Sequence, residues 1–292
     1  MGDVQIRLNH RLSTFLITKT TVYISFVLFF ILIVIGYLYS FPGESIGDNY
    51  RFGESSDHYR FDTFCSEPEP AHLIRTKLID AFFNGTSPYA NFPPKHAIPL
   101  LTPAKINGWD SNNVVFSNLM RKYRPKTIIE VGTFLGMSAI HMAELSHEIG
   151  LDSQIICVDN FRAWPGLDIP MINGDVLLMY QFMQNLVHKN VTESVLFLPY
   201  STTAALDKMC KMGIYGDMIE IDAAHDFHSA WSDLNRAYKV LARHGVIFGH
   251  DYFNKEDHYG VRRAVNLFAR FKGLRVETDG MHWVIHPSKS IN

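Results

Sequence analysis

The sequence has few cysteines and little excess charge, and each shortage argues against a common class of protein. Its three cysteines form no C-x-x-C pair and show no zinc-ligand spacing, so no cysteine-based metal motif is indicated. The formal net charge is only −2 and no long basic run occurs, which argues against nucleic acid as the main partner.

The apolar content is sufficient for a substantial core. With 292 residues and 47% hydrophobic residues, the chain can form one well-packed domain with an appendage. Cys157 lies within an apolar strand pattern and is predicted to be a core residue. One disulfide between Cys65 and Cys210 is conceivable, and the sequence leaves that pairing open.

One apolar run stands out near the N-terminus. Residues 22–40 are apolar almost throughout and carry no charge. At a rise of about 1.5 Å per residue, such a run can cross a hydrocarbon core of about 30 Å. It is longer than the core of a cleavable signal, and no Ala-x-Ala site follows it. We therefore predict an uncleaved transmembrane signal anchor over residues 22–40, after a cytosolic tail of residues 1–21.

The charges that flank this run predict its orientation. Arg7, Arg11 and Lys19 precede the run, whereas Glu44 and Asp48 follow it. Because positive charges favour the cytosolic side, the sequence predicts a single-pass type II protein of the endomembrane system, in the Golgi or the endoplasmic reticulum. The large C-terminal part is then lumenal.

Two glycosylation sequons agree with that orientation, and composition suggests the domain boundaries. The sequons begin at Asn84 and Asn190. Residues 41–70 are rich in Gly, Ser, Pro and acidic residues without periodicity, which is typical of a flexible stalk. Residues 71–107 are predicted to form an N-terminal extension, and residues 108–292 the main domain.

The stretch from Thr127 to Ile140 is the most informative part of the main domain. A short apolar run that contains Glu130 ends at Gly132 and is followed by Gly136 and then by a helical pattern from Ser138. A strand, a glycine turn and a helix in this order are typical of a nucleotide-type site, because glycine lets a ligand approach the backbone. The acid at the end of the strand suits a ligand that carries a positive charge.

The segment Glu130-Val-Gly-Thr-Phe-Leu-Gly136 resembles motif I of class I S-adenosylmethionine-dependent methyltransferases. The resemblance implies S-adenosylmethionine as the cofactor, with Glu130, Gly132, Gly136 and Ser138 at its site. Asp159 ends the next strand pattern, where the family's acid binds the ribose hydroxyls, although it could instead cap a turn. Ser201 matches a segment that often approaches the adenine.

The ends of two later predicted strands carry candidate metal-binding and catalytic residues. Asp222 and His225 follow one strand pattern, and His250 and Asp251 follow the next. This arrangement resembles the branch that includes macrolide-sugar O-methyltransferases, which implies that Asp222 and Asp251 bind Mg²⁺ or another divalent cation. It also implies that His225 is the general base, with His250 as a further catalytic residue. His250 stands where that branch has a second acid, which weakens the metal assignment.

The chemistry supports this assignment independently. A sugar or other alcohol hydroxyl is a poor nucleophile toward a methyl sulfonium. A cation held by carboxylates can acidify the hydroxyl, and an imidazole with a pKa near ~6.5 can take its proton. The sequence therefore predicts O-methylation of a small-molecule or glycan acceptor.

Strand and helix patterns alternate along the main domain, which predicts an α/β fold: a Rossmann-like, doubly wound, mostly parallel seven-stranded sheet with antiparallel pairing at its end. The predicted strands begin near Ile128, Ile155, Val195, Asp217, Gly245, Leu274 and His282. Ligands of such sheets bind beyond the carboxyl ends of the strands. We expect Asp110 or Ser111 to cap the helix before the first strand.

Two other functions remain open on the sequence. A lumenal type II glycosyltransferase would have the same topology, but such enzymes usually carry an Asp-x-Asp motif and this chain has none. A non-catalytic scaffold that retained the fold is the second alternative. The presence of Asp222, His225 and Asp251 argues against it.

Overall fold

The computed structural model of the protein describes residues 65–162, 171–172 and 175–286. The predicted tail and signal anchor, together with most of the predicted stalk, lie outside these residues, so those assignments stay predictions. Within the described ranges, no helix is both long and apolar enough to cross a bilayer.

A seven-stranded sheet forms the centre of the described chain, in the order β5-β2-β1-β6-β7-β9-β8, and β3 and β4 form a separate small pair. The strands are β1 (Thr127–Val131), β2 (Gln154–Val158), β3 (Met171–Ile172), β4 (Asp175–Val176), β5 (Val195–Leu198), β6 (Gly216–Ile221), β7 (Leu241–Gly249), β8 (Val276–Asp279) and β9 (His282–Ile285). The strands from β5 to β7 are parallel, whereas β9 is antiparallel to both β7 and β8. The predicted mostly parallel sheet with antiparallel pairing at its end is confirmed.

Helices cover both faces of this sheet. They are α1 (Ala71–Phe83), α2 (Val114–Tyr123), α3 (Met137–Glu148), α4 (Leu177–His188), α5 (Thr202–Met212), α6 (Phe227–Lys239) and α7 (Gly260–Lys272). One core cluster joins one face of the sheet to α1, α5, α6 and α7, and the other joins the opposite face to α2, α3 and α4. Neighbouring strand residues such as Ile128 and Ile129 belong to different clusters because side chains alternate across a strand.

Short polar side chains begin several of the helices. The expectation that Asp110 or Ser111 caps α2 is wrong, because the Asn113 side chain accepts the hydrogen bond from the Val115 N–H at 3.1 Å. The apolar pattern of α2 begins directly after Asn113, so this residue is the one that meets the free N–H groups of the first turn.

The extension before α2 is part of the packed structure. Ile74 and Leu78 of α1 are buried in the same core cluster as α5 and α6. A disulfide joins Cys65, which precedes α1, to Cys210 of α5. Cys157 is a buried free cysteine, as predicted.

Candidate active site

The loop after β1 holds its shape only with glycine. Gly132 and Gly136 have φ values of +85° and +83°, which other residues rarely adopt. A Cβ atom on Gly132 would overlap the carbonyl oxygen of Asp222 and lie 2.7 Å from its carbonyl carbon. A Cβ on Gly136 would lie 2.9 Å from the Phe182 ring. The backbone of this glycine loop, residues 132–136, therefore lies directly against the segment that follows β6.

Asp159 fixes the glycine loop in place. Its Oδ2 accepts hydrogen bonds from the backbone N–H groups of Thr133, at 3.0 Å, and Phe134, at 3.1 Å. Its Oδ1 accepts from the Phe161 N–H at 2.7 Å. The carboxylate at the end of β2 thus orders the loop after β1. The ribose contact implied by the family resemblance stays a prediction, and it would use the one lone pair of about four that these three bonds leave free.

Glu130 is fully buried beside the same loop. Its Oε1 accepts a hydrogen bond from the Ser138 hydroxyl at the start of α3. Within the described part of the chain, Oε2 makes no hydrogen bond of ordinary geometry. Burial raises the pKa of Glu130, and nearby side chains such as Cys157 and Ser138 offset that effect only in part. Two of the predicted cofactor residues, Glu130 and Ser138, are therefore in direct contact.

Ser201, a predicted cofactor residue, caps a helix in the structure. Its hydroxyl accepts a hydrogen bond from the Ala204 N–H at 3.4 Å and caps the N-terminus of α5. Ser201 is exposed and directly follows the segment after β5. Capping explains the residue on its own, and a contact with the cofactor remains a prediction.

The second set of candidates lies where β6 and β7 end. Ligand atoms of Asp222, His250 and Asp251 all lie within 4.8 Å of one another, and His250 Nδ1 is 3.2 Å from Asp251 Oδ2. Burial, and then the nearby carboxylate of Asp251, raise the pKa of Asp222 to about 6 despite the neighbouring histidines. Cation ligation is the type of interaction that would offset this cost.

His225 occupies a different environment from the one predicted. Its Nε2 lies 2.9 Å from Asp251 Oδ2, and its Nδ1 contacts the carboxylate of Glu256. Asn254 Nδ2 lies 3.3 Å from the same Nδ1. The bond to Asp251 raises the pKa of His225 to about 9, and the contact with Glu256 adds to this effect. These contacts favour the protonated, imidazolium form of His225, and the general-base role implied by the family resemblance stays a prediction.

Sequence reasoning missed three residues of this cluster. Asp110, in the segment before α2, lies 3.5 Å from His250 Nε2. Glu256 contacts His225 as described. His282 of β9 is buried, and its ring centroid lies 4.7 Å from that of His250. Burial and the charge of His250 lower the pKa of His282 to about 4, so its ring is neutral at neutral pH. No spacing or motif marks any of the three, since each comes from a different part of the chain.

The strand β6 contributes one further residue that the sequence reasoning passed over. Glu220 is 2% exposed, and its Oε2 has no hydrogen-bond partner in the described chain. Its neighbour across the sheet is Glu130. Burial, followed by the charges on Glu130 and Asp222, raises the pKa of Glu220 well above its usual range. The only sign in the sequence is an acid within an otherwise apolar strand run.

Part of the main domain is similar to a known protein family. Residues 129–252 match the family model described as a methyltransferase domain. That range contains the glycine loop, Asp159 and Glu220, together with Asp222, His225, His250 and Asp251 at the ends of β6 and β7. No curated protein matches the sequence.

Several solved structures are similar to this chain. Cofactor-bound Rv0187 from MTB has 16% identity, over 77% of this chain and 100% of that chain, with a TM-score of 0.49. An O-methyltransferase from Bacillus cereus in complex with SAH has 17% identity, over 79% and 96% of the two chains, with a TM-score of 0.46. CalS11, a TDP-rhamnose 3'-O-methyltransferase, has 13% identity, over 77% and 98%, with a TM-score of 0.47.

Proposed function

We propose that the protein is an S-adenosylmethionine-dependent methyltransferase that acts on a hydroxyl group of a sugar, a glycan or a small molecule in the lumen of the secretory pathway. The proposal rests mainly on one observation: the glycine loop and the acidic and histidine cluster lie next to each other at one edge of the sheet. The Gly132 backbone of the glycine loop lies against Asp222, the first residue of the acidic and histidine cluster. One set suits a cofactor, and the other suits activation of an acceptor.

The glycine loop fits S-adenosylmethionine in its chemistry. When bound, this cofactor supplies a methyl group on a positively charged sulfur, next to an amino-acid end that carries an ammonium group. Glu130 offers a buried carboxylate oxygen without a hydrogen bond among the described residues, which suits such a cation. Gly132 and Gly136 keep side chains out of the loop, Asp159 holds its backbone, and Ser138 orients Glu130.

The cluster of Asp222, His250 and Asp251 fits a divalent cation. Ligand atoms of two carboxylates and one imidazole lie within 4.8 Å of one another, and an ion held between them would acidify an acceptor hydroxyl. Carboxylates suit Mg²⁺ and Mn²⁺, whereas the imidazole also suits transition metals such as Zn²⁺. The donor set therefore supports a cation without restricting it to Mg²⁺.

The histidines have distinct roles in this proposal. His225 bonds carboxylates through both ring nitrogens, so it orients Asp251 and holds a proton in the resting arrangement. To act as the general base, it would have to lose that proton and release Glu256 or Asp251. His250 lies beside Asp222 and has Asp110 near its second nitrogen, so it would be close to a hydroxyl bound at the cluster.

Lumenal location is supported by observations that do not depend on the site. A disulfide joins Cys65 to Cys210, and disulfides persist mainly in oxidising compartments. The sequon asparagines Asn84 and Asn190 are both exposed, each just beyond the C-terminus of a helix. Together with the predicted anchor over residues 22–40, these features favour a type II endomembrane protein.

Two measurements test the function. Calorimetry on the lumenal part should detect S-adenosylmethionine at micromolar affinity, and affinity in the millimolar range or weaker would count against the proposal. A preference for a nucleotide sugar would favour the glycosyltransferase alternative. A screen of sugars, glycans and small alcohols with radiolabelled methyl donor would identify the acceptor.

The location has its own test. Protease added to sealed microsomes should leave everything beyond residue 40 intact, and glycosidase should reduce the mass of the protected fragment. Digestion of the C-terminal part without detergent would overturn the topology.

A further inference from the structure

Glu220 is buried on the same face of the sheet as Glu130. Glu130 and Glu220 are register partners on the parallel strands β1 and β6, and paired residues on neighbouring strands point to the same side. Ile128 and Met218, which lie two residues before Glu130 and Glu220, are also register partners and belong to the core cluster that contains α2, α3 and α4. Because residues two apart in a strand point to the same side, the two acids face that cluster as well. The two acids therefore stand side by side beneath the glycine loop.

A carboxyl group in that position is costly without a cationic partner. Glu220 is 2% exposed, and its Oε2 has no hydrogen-bond partner in the part of the chain that the structure describes. The described ranges contain no lysine or arginine whose ion pair reaches Glu220 or Glu130. An unpaired buried acid destabilises a protein unless something compensates for it. An apolar residue, as at Met218, would fill the same face of β6 at no such cost.

We propose that Glu220 is a second binding carboxyl for the cationic amino-acid end of the cofactor, together with Glu130. The inference rests on the proposed function, because it takes S-adenosylmethionine as the cofactor. Glu130 uses one oxygen to accept the Ser138 hydrogen bond, so one acid alone offers an ammonium group a single free oxygen. Glu220 adds a second, and two acceptors can meet more than one of the three donors of an ammonium group.

The test compares two ligands that differ at that end. S-adenosylhomocysteine carries the amino-acid end with its ammonium group, whereas 5′-methylthioadenosine lacks it. Calorimetry on Glu220→Gln should show S-adenosylhomocysteine affinity reduced roughly 10-fold or more, the size of effect expected for a lost hydrogen bond to a charged group. Affinity for methylthioadenosine should change less than about 2-fold. The control is Glu193→Gln, which removes a carboxylate whose side chain is 93% exposed and should alter neither affinity.

The outcomes separate this inference from the proposed function. If the wild-type protein binds neither ligand, the proposed function fails, and the inference fails with it. If the wild type binds S-adenosylhomocysteine and Glu220→Gln binds it equally well, only the inference is overturned, and the two acids then merely share a proton. Equal weakening of both ligands would also overturn it, because the effect would not depend on the amino-acid end.

A second variant keeps the test valid if Glu220→Gln does not fold, as judged by its thermal unfolding. Glu220→Asp retains the charge but withdraws it by one methylene. It is expected to weaken S-adenosylhomocysteine several-fold while leaving methylthioadenosine unchanged. Unchanged affinity for both ligands, or equal loss of both, would again overturn the assignment.

Discussion

The backbone of Gly132 packs against the carbonyl group of Asp222, so closely that no side chain fits between them. This contact joins the glycine loop at the end of β1 to Asp222 of the acidic cluster after β6. A side chain at position 132 would meet the backbone of Asp222 before it reached any ligand.

Gly132→Ala should therefore reduce stability as well as cofactor binding. The left-handed φ costs a residue with a Cβ roughly 1–2 kcal/mol, and the overlap with Asp222 forces a backbone shift that costs more. We expect a loss of at least about 3 kcal/mol in the free energy of unfolding, measured by urea denaturation. Gly150→Ala is the control: its φ is +65° but nothing lies within 4 Å of its Cβ position, so about 1 kcal/mol is expected. Equal losses in the two variants would contradict this account.

The fold was predictable because its determinants are local and periodic. Apolar runs such as Ile155–Val158 and the helical spacing after Gly136 identify strands and helices without knowledge of the tertiary structure. Once the strands are identified, the sequence also shows that acids stand at the ends of β1, β2 and β6. A parallel sheet brings these strand ends together at one edge. Asn113 was missed as a helix cap because Asp110 and Ser111 nearby are equally good capping residues.

The details of the site were less predictable because they depend on tertiary contacts. Glu256 lies 31 residues after His225, in a segment without motif or periodicity, yet it adds to the rise in the pKa of that imidazole caused by Asp251. Asp110 reaches His250 from the segment before α2 in the same way. Glu220 looks like any polar residue in a strand until its burial and its position beside Glu130 are known.

The disulfide between Cys65 and Cys210 should stabilise the protein substantially. It joins residues 145 positions apart, and constraining so long a segment of the unfolded chain is worth about 2–4 kcal/mol in typical proteins. The double variant Cys65→Ser/Cys210→Ser should lose about that much unfolding free energy, and dithiothreitol should produce a similar loss in the wild type. Dithiothreitol should leave the double variant unchanged, because Cys157 is a buried free thiol. A wild-type protein insensitive to the reductant would contradict the prediction.

The acidic cluster should bind a divalent cation independently of the cofactor. Asp222→Asn removes one of the three ligands, so calorimetric binding of Mn²⁺ or Mg²⁺ should weaken at least about 10-fold, in line with loss of a charged ligand. S-adenosylhomocysteine binding should remain nearly unchanged, because Asp222 contributes its backbone rather than its side chain to the glycine loop. Asp152→Asn, at an exposed site, is the control. Full activity in excess chelator, with no measurable ion binding, would remove the metal from the mechanism.

The charge state of His225 gives the last prediction. In chelator, NMR titration should find its pKa near 9, raised by Asp251 and Glu256, and Glu256→Gln should lower it. Glu277→Gln is the control, because Glu277 bonds a different histidine, His286, at 2.9 Å; it should not alter the titration of His225.

The same shift fixes the sign of the pH dependence of stability. A histidine pKa that is higher in the folded state than the usual ~6.5 of the unfolded chain stabilises the fold fully below pH ~6.5, and this contribution disappears as the pH rises through about 9. The unfolding free energy of His225→Gln should therefore fall furthest below that of the wild type near pH 6, and the difference should shrink by pH 9.5. A difference that is constant with pH, together with a measured pKa near 6.5, would show that His225 is free of its carboxylate partners. A general-base role at neutral pH would then be open to it, because a neutral imidazole can accept the hydroxyl proton while an imidazolium held by Asp251 and Glu256 cannot.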